Sequence, residues 1–165
     1  MALGVCGPLQ AGTRDTGNLL SYALPGGTLA VELARGDREG AWQFTQTAAV
    51  SLAATGVLKH VTHVERPDHS NDESFPSGHS TRAFMSAAYV HQRHGLLNAT
   101  PLYVAASYVG YSRVDARRHR WVDVAGSAAL SMAAASWLVE PSPKGALVVP
   151  MFGHRSIGIA LVADF

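Results

Sequence analysis

The sequence predicts an all-α fold of about five to six helices, followed by a C-terminal β-hairpin. Apolar residues recur at helical spacing through most of the chain as far as Val139. Proline and glycine interrupt this pattern where helices of ordinary length end. The final segment differs, because Val, Ile and Leu are concentrated there on both sides of a turn sequence, which is typical of paired strands.

Three helices are predicted in the first part of the chain. Two short ones run from Thr16 to Leu24 and from Thr28 to Ala34, separated by the turn sequence Pro25-Gly26-Gly27. A longer one runs from Ala41 to about His63. One stripe of this helix carries, at helical spacings, Trp42, Ala49, Leu52, Gly56, Lys59 and His63. The stripe is predicted to face inward, and Lys59 with it.

Three further helices are predicted after a polar segment. The first runs from Ser80 to Arg93 and ends within His91-Gln92-Arg93-His94-Gly95, because basic residues suit the last carbonyls and glycine suits a left-handed cap. The second opens with Thr100 as N-cap and Pro101 at the first helical position, and delivers Arg113 at its end. The third runs from His119 to Val139 and stops before a proline.

A β-hairpin is predicted over residues 145–164. Its strands run from Gly145 to Phe152 and from Ser156 to Asp164, and Gly153-His154-Arg155 forms the turn. An isolated hairpin is only marginally stable in water. We therefore expect it to pack on the helices or to pair with a second copy in a homodimer, with contact to lipid as the alternative.

Length and composition predict one domain over residues 1–165. The net charge is +1 with 15% charged residues, so no basic field indicates a nucleic-acid partner. A single cysteine, Cys6, excludes an internal disulfide. The most apolar stretch, Val122 to Val139, only just reaches the length of a membrane span and carries Asp123. A core helix is favoured there, and the chain is expected to be soluble or peripheral to a membrane.

Three clusters of residues in the sequence predict a binding site for a phosphate-like anion. They are Lys59 with Arg66-Pro67, then Pro76-Ser77-Gly78-His79, then Ser112-Arg113 with His119 and Asp123. Lys59, Arg66 and Arg113 are cations at neutral pH, and guanidinium groups match the paired oxygens of a phosphate. The turn leads into a helix, so free backbone amides are expected to point at the same anion, and Gly78 permits a close approach.

Two histidines are candidates for the reacting groups. His119 and Asp123 are four residues apart, and on a helix they would share one face, where the carboxylate holds one ring nitrogen and raises the basicity of the other. His119 is therefore the candidate nucleophile. His79, whose pKa is expected to lie near neutrality, is the candidate proton donor to the leaving oxygen.

Each cluster taken alone has a structural interpretation, as a surface pair, a capped turn or a helix stop. His60 and His63 invite a metal site, but no nearby cysteine completes a zinc set, so a structural role is favoured. The conjunction of two imidazoles, three cations and a carboxylate favours a functional site. An acidic loop with Asp68, Asp72 and Glu73 is expected to lie over it, and we hypothesise that it either repels competing anions or holds the arginines when no ligand is bound.

The clusters resemble the signature of the type 2 phosphatidic acid phosphatase superfamily, Lys-x6-Arg-Pro, Pro-Ser-Gly-His and Ser-Arg-x5-His-x3-Asp. All specified positions are matched over a motif core from Lys59 to Asp123. The resemblance implies a compact helical bundle and a phosphohistidine mechanism that needs no metal and no cofactor. In it His119 attacks phosphorus, His79 protonates the leaving group, and water then releases phosphate. The residues implied to bind the phosphoryl oxygens are Lys59, Arg66, Ser77, Gly78 and Arg113.

The resemblance leaves the substrate open between phosphatidic acid, phosphatidylglycerol phosphate, polyprenyl pyrophosphate, lipid A phosphates and small soluble phosphomonoesters. A lipid phosphate is favoured, because the chain has many apolar residues and its hairpin is apolar. Four residues near the motifs are candidates to line a path for an acyl or prenyl chain, although a core position is the favoured interpretation of each: Phe75, Phe84, Tyr111 and Trp121. Family analogy implies an extracytoplasmic, periplasmic position. Two alternatives remain: a vanadium-dependent haloperoxidase, which shares the oxyanion site, and a non-catalytic phosphate-lipid binding module.

Overall fold

A computed structural model describes residues 8–142, 146–153 and 156–163 of the chain, with side chains from residue 12 to residue 142. Within these residues the five helices agree with the predicted helical fold. The elements in chain order are α1 (Pro8–Ala34), α2 (Arg38–Thr62), α3 (Gly78–His94), α4 (Leu96–Asp115), α5 (Trp121–Leu138), β1 (Ala146–Gly153) and β2 (Ser156–Ala163).

Helix α1 is one helix of 27 residues with Pro25 inside it, so the prediction of two short helices separated by a turn is wrong. Proline removes the N–H that would bond to the Ser21 carbonyl, at a cost of about 3 kcal/mol in a helix interior. The helix nevertheless continues, because one face of it packs on α3 and α4. The buried residues of that face are Gly17, Ser21, Thr28 and Glu32. Tertiary packing therefore overrides the local turn signal.

Helix α2 buries a different stripe from the one predicted. Trp42 and Leu52 are exposed, so the prediction that their stripe faces inward is wrong. The buried face consists of Gly40, Ala41, Gln43, Phe44, Thr47, Ser51 and Thr55. Lys59 lies four residues beyond Thr55 and continues this buried face. The half-buried position of Lys59 thus follows from the small and polar residues of the helix, which apolar periodicity does not detect.

Helix α3 lies at the centre of the bundle and contacts all four other helices. One side of it packs Met85, Ala88 and Tyr89 against residues of α2 and α5. Another side packs Ala83 and Phe84 against residues of α4 and α5. The helix ends at Gly95, whose φ of 89° is accessible to glycine, and whose N–H donates to the His91 carbonyl. The predicted helix end is therefore confirmed.

The starts of α4 and α5 differ from prediction. Helix α4 begins at Leu96, because Gly95 ends α3 and opens α4 in a single residue, and Pro101 therefore lies inside α4 and not at its first position. Helix α5 begins at Trp121, since Arg120 has an extended conformation (φ −97°, ψ 163°). His119 consequently precedes the helix that it was predicted to begin.

Buried ion pairs close the end of the bundle where α1 ends and α2 begins. His94 Nε2 lies 2.6 Å from Glu32 Oε1, and Arg93 Nη2 lies 2.6 Å from Asp37 Oδ2. Asp37 also caps α2 by accepting a hydrogen bond from the Gly40 N–H at 2.8 Å. Charges that lose water here find partners, as buried charges must. The three sequence clusters all lie at the opposite end of the bundle.

The two strands after α5 pair antiparallel, with Ala146 opposite Ala163 and Gly153 opposite Ser156. The predicted turn residues His154 and Arg155 lie outside the described residues. Across the described part of the chain, none of the helices combines the length and the hydropathy that crossing a bilayer requires.

Candidate active site

The predicted site residues meet where α2 and α4 end and where α3 and α5 begin. Lys59 and Arg66 act on the pKa of His119, and Arg113 and His119 act on the pKa of His79, so clusters far apart in the sequence share one electrostatic environment. The predicted residues at this end are Lys59, Arg66, Ser77, Gly78, His79, Arg113, His119 and Asp123.

His119 is buried, with 4% of its surface exposed, in the extended segment before α5. Its Nδ1 lies 3.5 Å from Asp123 Oδ2. The two groups approach each other as the sequence predicts, although the turn at Arg120 brings them together and not a shared helix face. Because Nδ1 is next to the carboxylate, Nε2 is the ring nitrogen that remains for an external partner.

Asp123 is fully buried and has two firm hydrogen bonds within the protein. Its Oδ2 accepts from the Ser74 hydroxyl at 2.6 Å and from the Arg120 N–H at 2.8 Å. The bond to Arg120 satisfies a free amide at the start of α5, where a negative charge also suits the helix dipole. Sequence analysis missed Ser74, because nothing in its spacing from the motifs marks it.

Ser77 is the N-cap of α3 and is fully buried. Its Oγ accepts from the Ser80 hydroxyl at 3.0 Å and from the Ser80 N–H at 3.4 Å, and its N–H donates to the Asp123 carbonyl at 3.2 Å. These bonds fix the start of α3 against the start of α5. Since Ser77 Oγ accepts in both of its bonds, its own proton remains for another acceptor.

The first amides of α3 are open. The N–H groups of Gly78 and His79 have no hydrogen-bond partner among the described residues. Lys59 lies over this turn, since its Cε is 4.0 Å from the point that a Cβ on Gly78 would occupy. Free amides at a helix N-terminus beside an ammonium group form an anion site.

Lys59 and Arg66 supply concentrated positive charge. Lys59 Nζ donates to the Glu73 carbonyl. Burial, followed by the charge of Arg66, lowers the pKa of Lys59, while Glu73 and Asp123 act in the opposite direction. Arg66 Nε is buried and has no hydrogen-bond partner within the described residues. The charges therefore favour an anion that would accept from both side chains.

Helix α1 holds Arg113, a contact that sequence analysis missed. The Arg113 guanidinium donates from Nη1 to Asn18 Oδ1 at 2.9 Å and from Nη2 to the Arg14 carbonyl at 2.9 Å. Arg113 Nε donates to Ser112 Oγ at 3.1 Å. Gly17 makes this close approach possible, since a Cβ there would lie 2.1 Å from Ser112 Oγ. Three of the five guanidinium N–H groups are used, and two remain for a ligand.

The pKa of His119 is lowered from its ordinary value of 6.5 to about 4. Burial is the largest cause, followed by the charges of Lys59 and Arg66, while Asp123 and the Ser74 carbonyl act in the opposite direction. His119 is therefore neutral at neutral pH, which is the state that a nucleophile requires.

The pKa of His79 is also lowered to about 4, by burial and then by Arg113 and Arg82, with smaller contributions from His119 and Arg66. The expectation of a pKa near neutrality is therefore wrong for the unliganded protein. The neighbouring cations disfavour a further positive charge, and the sequence does not show how closely they surround this imidazole.

Arg82 is the cation that sequence analysis missed. It lies three residues after His79 on α3 and hence on the same side of that helix. Its guanidinium carbon lies 4.5 Å from the ring centroid of Tyr22 on α1. Arg82 Nε is buried without a hydrogen-bond partner in the described part of the chain. Its helical spacing from His79 is the signal that identifies it.

The acidic loop after α2 is exposed, as predicted. Asp68 lies 3.1 Å from Arg118 Nη1, and Asp72 lies 3.0 Å from His63 Nδ1. Neither of these carboxylates forms an ion pair with a motif arginine. The pKa of Asp68 is nevertheless lowered by hydrogen bonds from Ser70 and then by the charges of Arg118 and Arg66. His, Cys, Asp and Glu side chains form no group of three placed to hold a metal ion within the described residues.

The four apolar residues expected near the site lie in different environments. Phe84 is a core residue, as its favoured interpretation predicts, and does not line a lipid path. Phe75 packs against Gly126 of α5, where a Cβ would lie 2.4 Å from its ring. Tyr111 and Trp121 are 48% and 58% exposed at the end of α4 and the start of α5. Only these two are open to an external ligand.

Comparison with known proteins agrees with this arrangement. The family model of the PAP2 superfamily matches residues 40–144, a range that contains every motif residue. The crystal structure of Aquifex aeolicus LpxE is similar in fold, with a TM-score of 0.68, 20% sequence identity, and coverage of 81% of this chain and 87% of that chain. The chain therefore belongs to the PAP2 superfamily and is a phosphatase of the PAP2 type.

Proposed function

We propose that the chain is a metal-independent phosphatase that removes a terminal phosphate or pyrophosphate phosphoryl group, from a lipid, through a phosphohistidine intermediate on His119. The observation that carries the proposal is the position of His119, buried beside Asp123 and under the charges of Lys59 and Arg66. These side chains supply both the nucleophile and the positive charge that phosphoryl transfer needs.

In the first step His119 Nε2 attacks phosphorus, an N–P bond forms, and the bond from phosphorus to the leaving oxygen breaks. Asp123 keeps the proton on Nδ1 and stabilises the charge that develops on the imidazole. The nonbridging oxygens are bound by Lys59, Arg66 and Arg113, together with the amides of Gly78 and His79 and the hydroxyl of Ser77. Donors fixed in advance around the phosphoryl group lower the barrier.

His79 gives a proton to the leaving oxygen. With a pKa of about 4 in the unliganded protein, it needs the substrate to become an acid, because a bound phosphate offsets the neighbouring cations and raises the pKa. In the second step the neutral His79 accepts a proton from water, the water oxygen bonds to phosphorus, and phosphate leaves His119.

The pH dependence should differ between kcat/KM and kcat. The quantity kcat/KM reports the free enzyme, in which His79 loses its proton as the pH rises through about 4. The quantity kcat reports the complex, in which the substrate's negative charge raises the pKa of His79. We therefore expect the falling limb of kcat to lie at higher pH than that of kcat/KM.

Steady-state kinetics across the acidic and neutral range measure the two limbs, with the ionisation of the substrate determined separately. The quantity kcat/KM should also fall at low pH, as His119 of the free enzyme becomes protonated below about 4. The corresponding fall in kcat should lie at higher pH, because the substrate's negative charge raises the pKa of His119 as well. Coincident limbs, or flat profiles, would contradict the role given to His79.

Exposed apolar residues support a lipid as the substrate. They lie on the parts of α1, α4 and α5 that adjoin the site: Leu19, Tyr22, Tyr108, Tyr111, Trp121 and Val122. Exposed apolar side chains near a phosphate site fit an acyl or prenyl chain better than a small soluble ester. Peripheral membrane contact, an extracytoplasmic position and a homodimer through the C-terminal hairpin remain predictions that accompany this proposal.

Phosphate release in excess chelator tests the function. The panel contains phosphatidic acid, phosphatidylglycerol phosphate, polyprenyl pyrophosphate and a soluble aryl phosphate, with His119→Ala as the control. The proposal predicts chelator-resistant release that depends on His119 and is faster for the lipids. A faster rate with the aryl phosphate would contradict the lipid assignment alone.

No release from any substrate would contradict the phosphatase itself. Vanadate with peroxide and halide then distinguishes the alternatives. Halide oxidation would identify a vanadium-dependent haloperoxidase, whereas binding of phosphate-lipid vesicles without turnover would identify a binding module.

A further inference from the structure

The cations of the site divide into two groups around the two histidines. Lys59 and Arg66 are the cations that lower the pKa of His119. Arg113 and Arg82 are the ones that act most strongly on His79. Under the proposed function His119 receives the phosphoryl group and His79 serves the leaving group. The second pair of cations therefore lies on the leaving-group side of the reaction.

Arg82 is arranged to bind an external anion. Its side chain makes no hydrogen bond with any described residue, and its guanidinium lies over the face of Tyr22, a residue that is itself 63% exposed. A guanidinium that lies over an aromatic ring is attracted by the ring face and not through its N–H groups. The N–H groups therefore stay available to donate to oxygen atoms of a ligand. The stack thus orients Arg82 without using its donors.

Arg113 differs from Arg82 in this respect. Its side chain makes three hydrogen bonds, to Ser112, Asn18 and the Arg14 carbonyl. Arg113 is consequently fixed as part of the wall of the phosphate site. Arg82 is a second guanidinium on the same side of the site. Its N–H groups have no hydrogen-bond partner among the described residues.

Two cations beside a general acid are unfavourable for an ordinary phosphomonoester. They oppose protonation of His79, and an alcohol leaving group adds no charge beyond that of the transferred phosphoryl group to offset them. A leaving group that is itself a phosphate brings negative charge to this side, binds the free guanidinium and restores the proton affinity of the acid.

Resting on the proposed function, we propose that Arg82 binds a second phosphoryl group on the leaving-group side of the substrate and so selects diphosphate esters over monophosphate esters. His119 bonds to the terminal phosphorus, and the bond from that phosphorus to the bridging oxygen breaks. The bridging oxygen takes the proton of His79 and leaves with the inner phosphate. Water then releases inorganic phosphate from His119, so that a diphosphate ester and water give a monophosphate ester and phosphate.

The test compares farnesyl diphosphate with farnesyl phosphate, which share one hydrocarbon chain. Arg82→Gln should lower the ratio of their kcat/KM values by about 10- to 100-fold, the usual effect of losing hydrogen bonds to a charged group. Arg82→Lys, which keeps the charge but loses the fork, should lower the ratio by less. Arg38→Gln is the matched control, because Arg38 is exposed at the opposite end of the bundle and should leave the ratio unchanged.

A purely structural role for the Arg82–Tyr22 stack predicts a different result. Both rates would fall together and the ratio would stay constant, which would overturn the proposal while leaving the phosphatase intact. Absence of release from both substrates with the unaltered protein would instead count against the proposed function.

A binding measurement on the unaltered protein is independent of whether the variants fold. Methylenediphosphonate should inhibit competitively at least about tenfold more tightly than methylphosphonate, because only the former reaches Arg82 with a second charged group. Equal inhibition constants would overturn the proposal.

Discussion

His119→Ala should lower kcat by about four to six orders of magnitude while leaving vanadate and phosphate binding measurable. Removing the nucleophile of a covalent mechanism removes the reaction path itself. The anion site survives, because Lys59, Arg66 and the open amides of α3 do not depend on the imidazole. Turnover is measured by phosphate release, and binding by the thermal shift that each anion produces.

Two variants control this experiment. His119→Gln keeps more of the side-chain volume at a site that is 4% exposed, so it separates lost chemistry from a packing defect. His60→Ala removes an exposed imidazole from α2 and should retain full activity. Activity of His119→Ala comparable to that of the unaltered protein would end the phosphohistidine proposal.

Asp123→Asn should lower kcat by about 10²- to 10⁴-fold with a smaller effect on substrate binding. The amide oxygen of the new residue takes the place of Oδ2, where it still accepts from the Ser74 hydroxyl and the Arg120 N–H and still lies next to His119 Nδ1. The negative charge is lost, so the neutral amide no longer stabilises the positive charge that develops on the imidazole during attack.

The matched control is Asp115→Asn at the last residue of α4, whose carboxylate makes no ion pair or hydrogen bond with a described residue. Its kinetics should be unchanged. The thermal midpoint of Asp123→Asn should fall only slightly, because the bond that starts α5 is kept. A large loss of stability with normal kcat in the remaining folded protein would show that Asp123 acts only as a helix cap.

The grouping of the candidate site residues was predictable from the sequence, because these residues occur at short, fixed spacings. Each cluster lies within a single turn, helix end or short loop, so local sequence determines its internal geometry. The pairing of His119 with Asp123 was reached by an incorrect route, since the extended Arg120 and not a helical turn joins them. The spacing still succeeded, because a side chain just before a helix can meet the third residue of that helix.

The errors in the fold come from contacts between segments far apart in sequence. Pro25 and two glycines signal a turn, yet α1 continues because it packs on α3 and α4. The buried face of α2 is small and polar, so a search for apolar periodicity selected the exposed stripe through Trp42. Neither the continuation of α1 nor the buried face of α2 can be predicted from local propensity or apolar periodicity.

The same reason explains what was missed in the site. Asn18 and the Arg14 carbonyl position Arg113 across more than ninety residues of chain. The lowered pKa of His79 likewise depends on its burial in the fold and then on how closely Arg113 and Arg82 approach it. The spacing within a motif predicts which side chains come together, whereas burial and neighbouring charges in the fold set their pKa values.

The covalent step is tested most directly by trapping the phosphoenzyme. His79→Ala is mixed with an aryl phosphate carrying a labelled phosphoryl group, because an activated leaving group needs no acid while the loss of His79 slows attack by water. The mixture is quenched in alkali, where phosphohistidine survives, and the labelled peptide is identified by mass spectrometry. We predict that the label appears on His119 in a burst, and that the double variant His79→Ala/His119→Ala carries no label. Steady turnover without any covalent label, or label on another residue, would contradict the phosphohistidine mechanism.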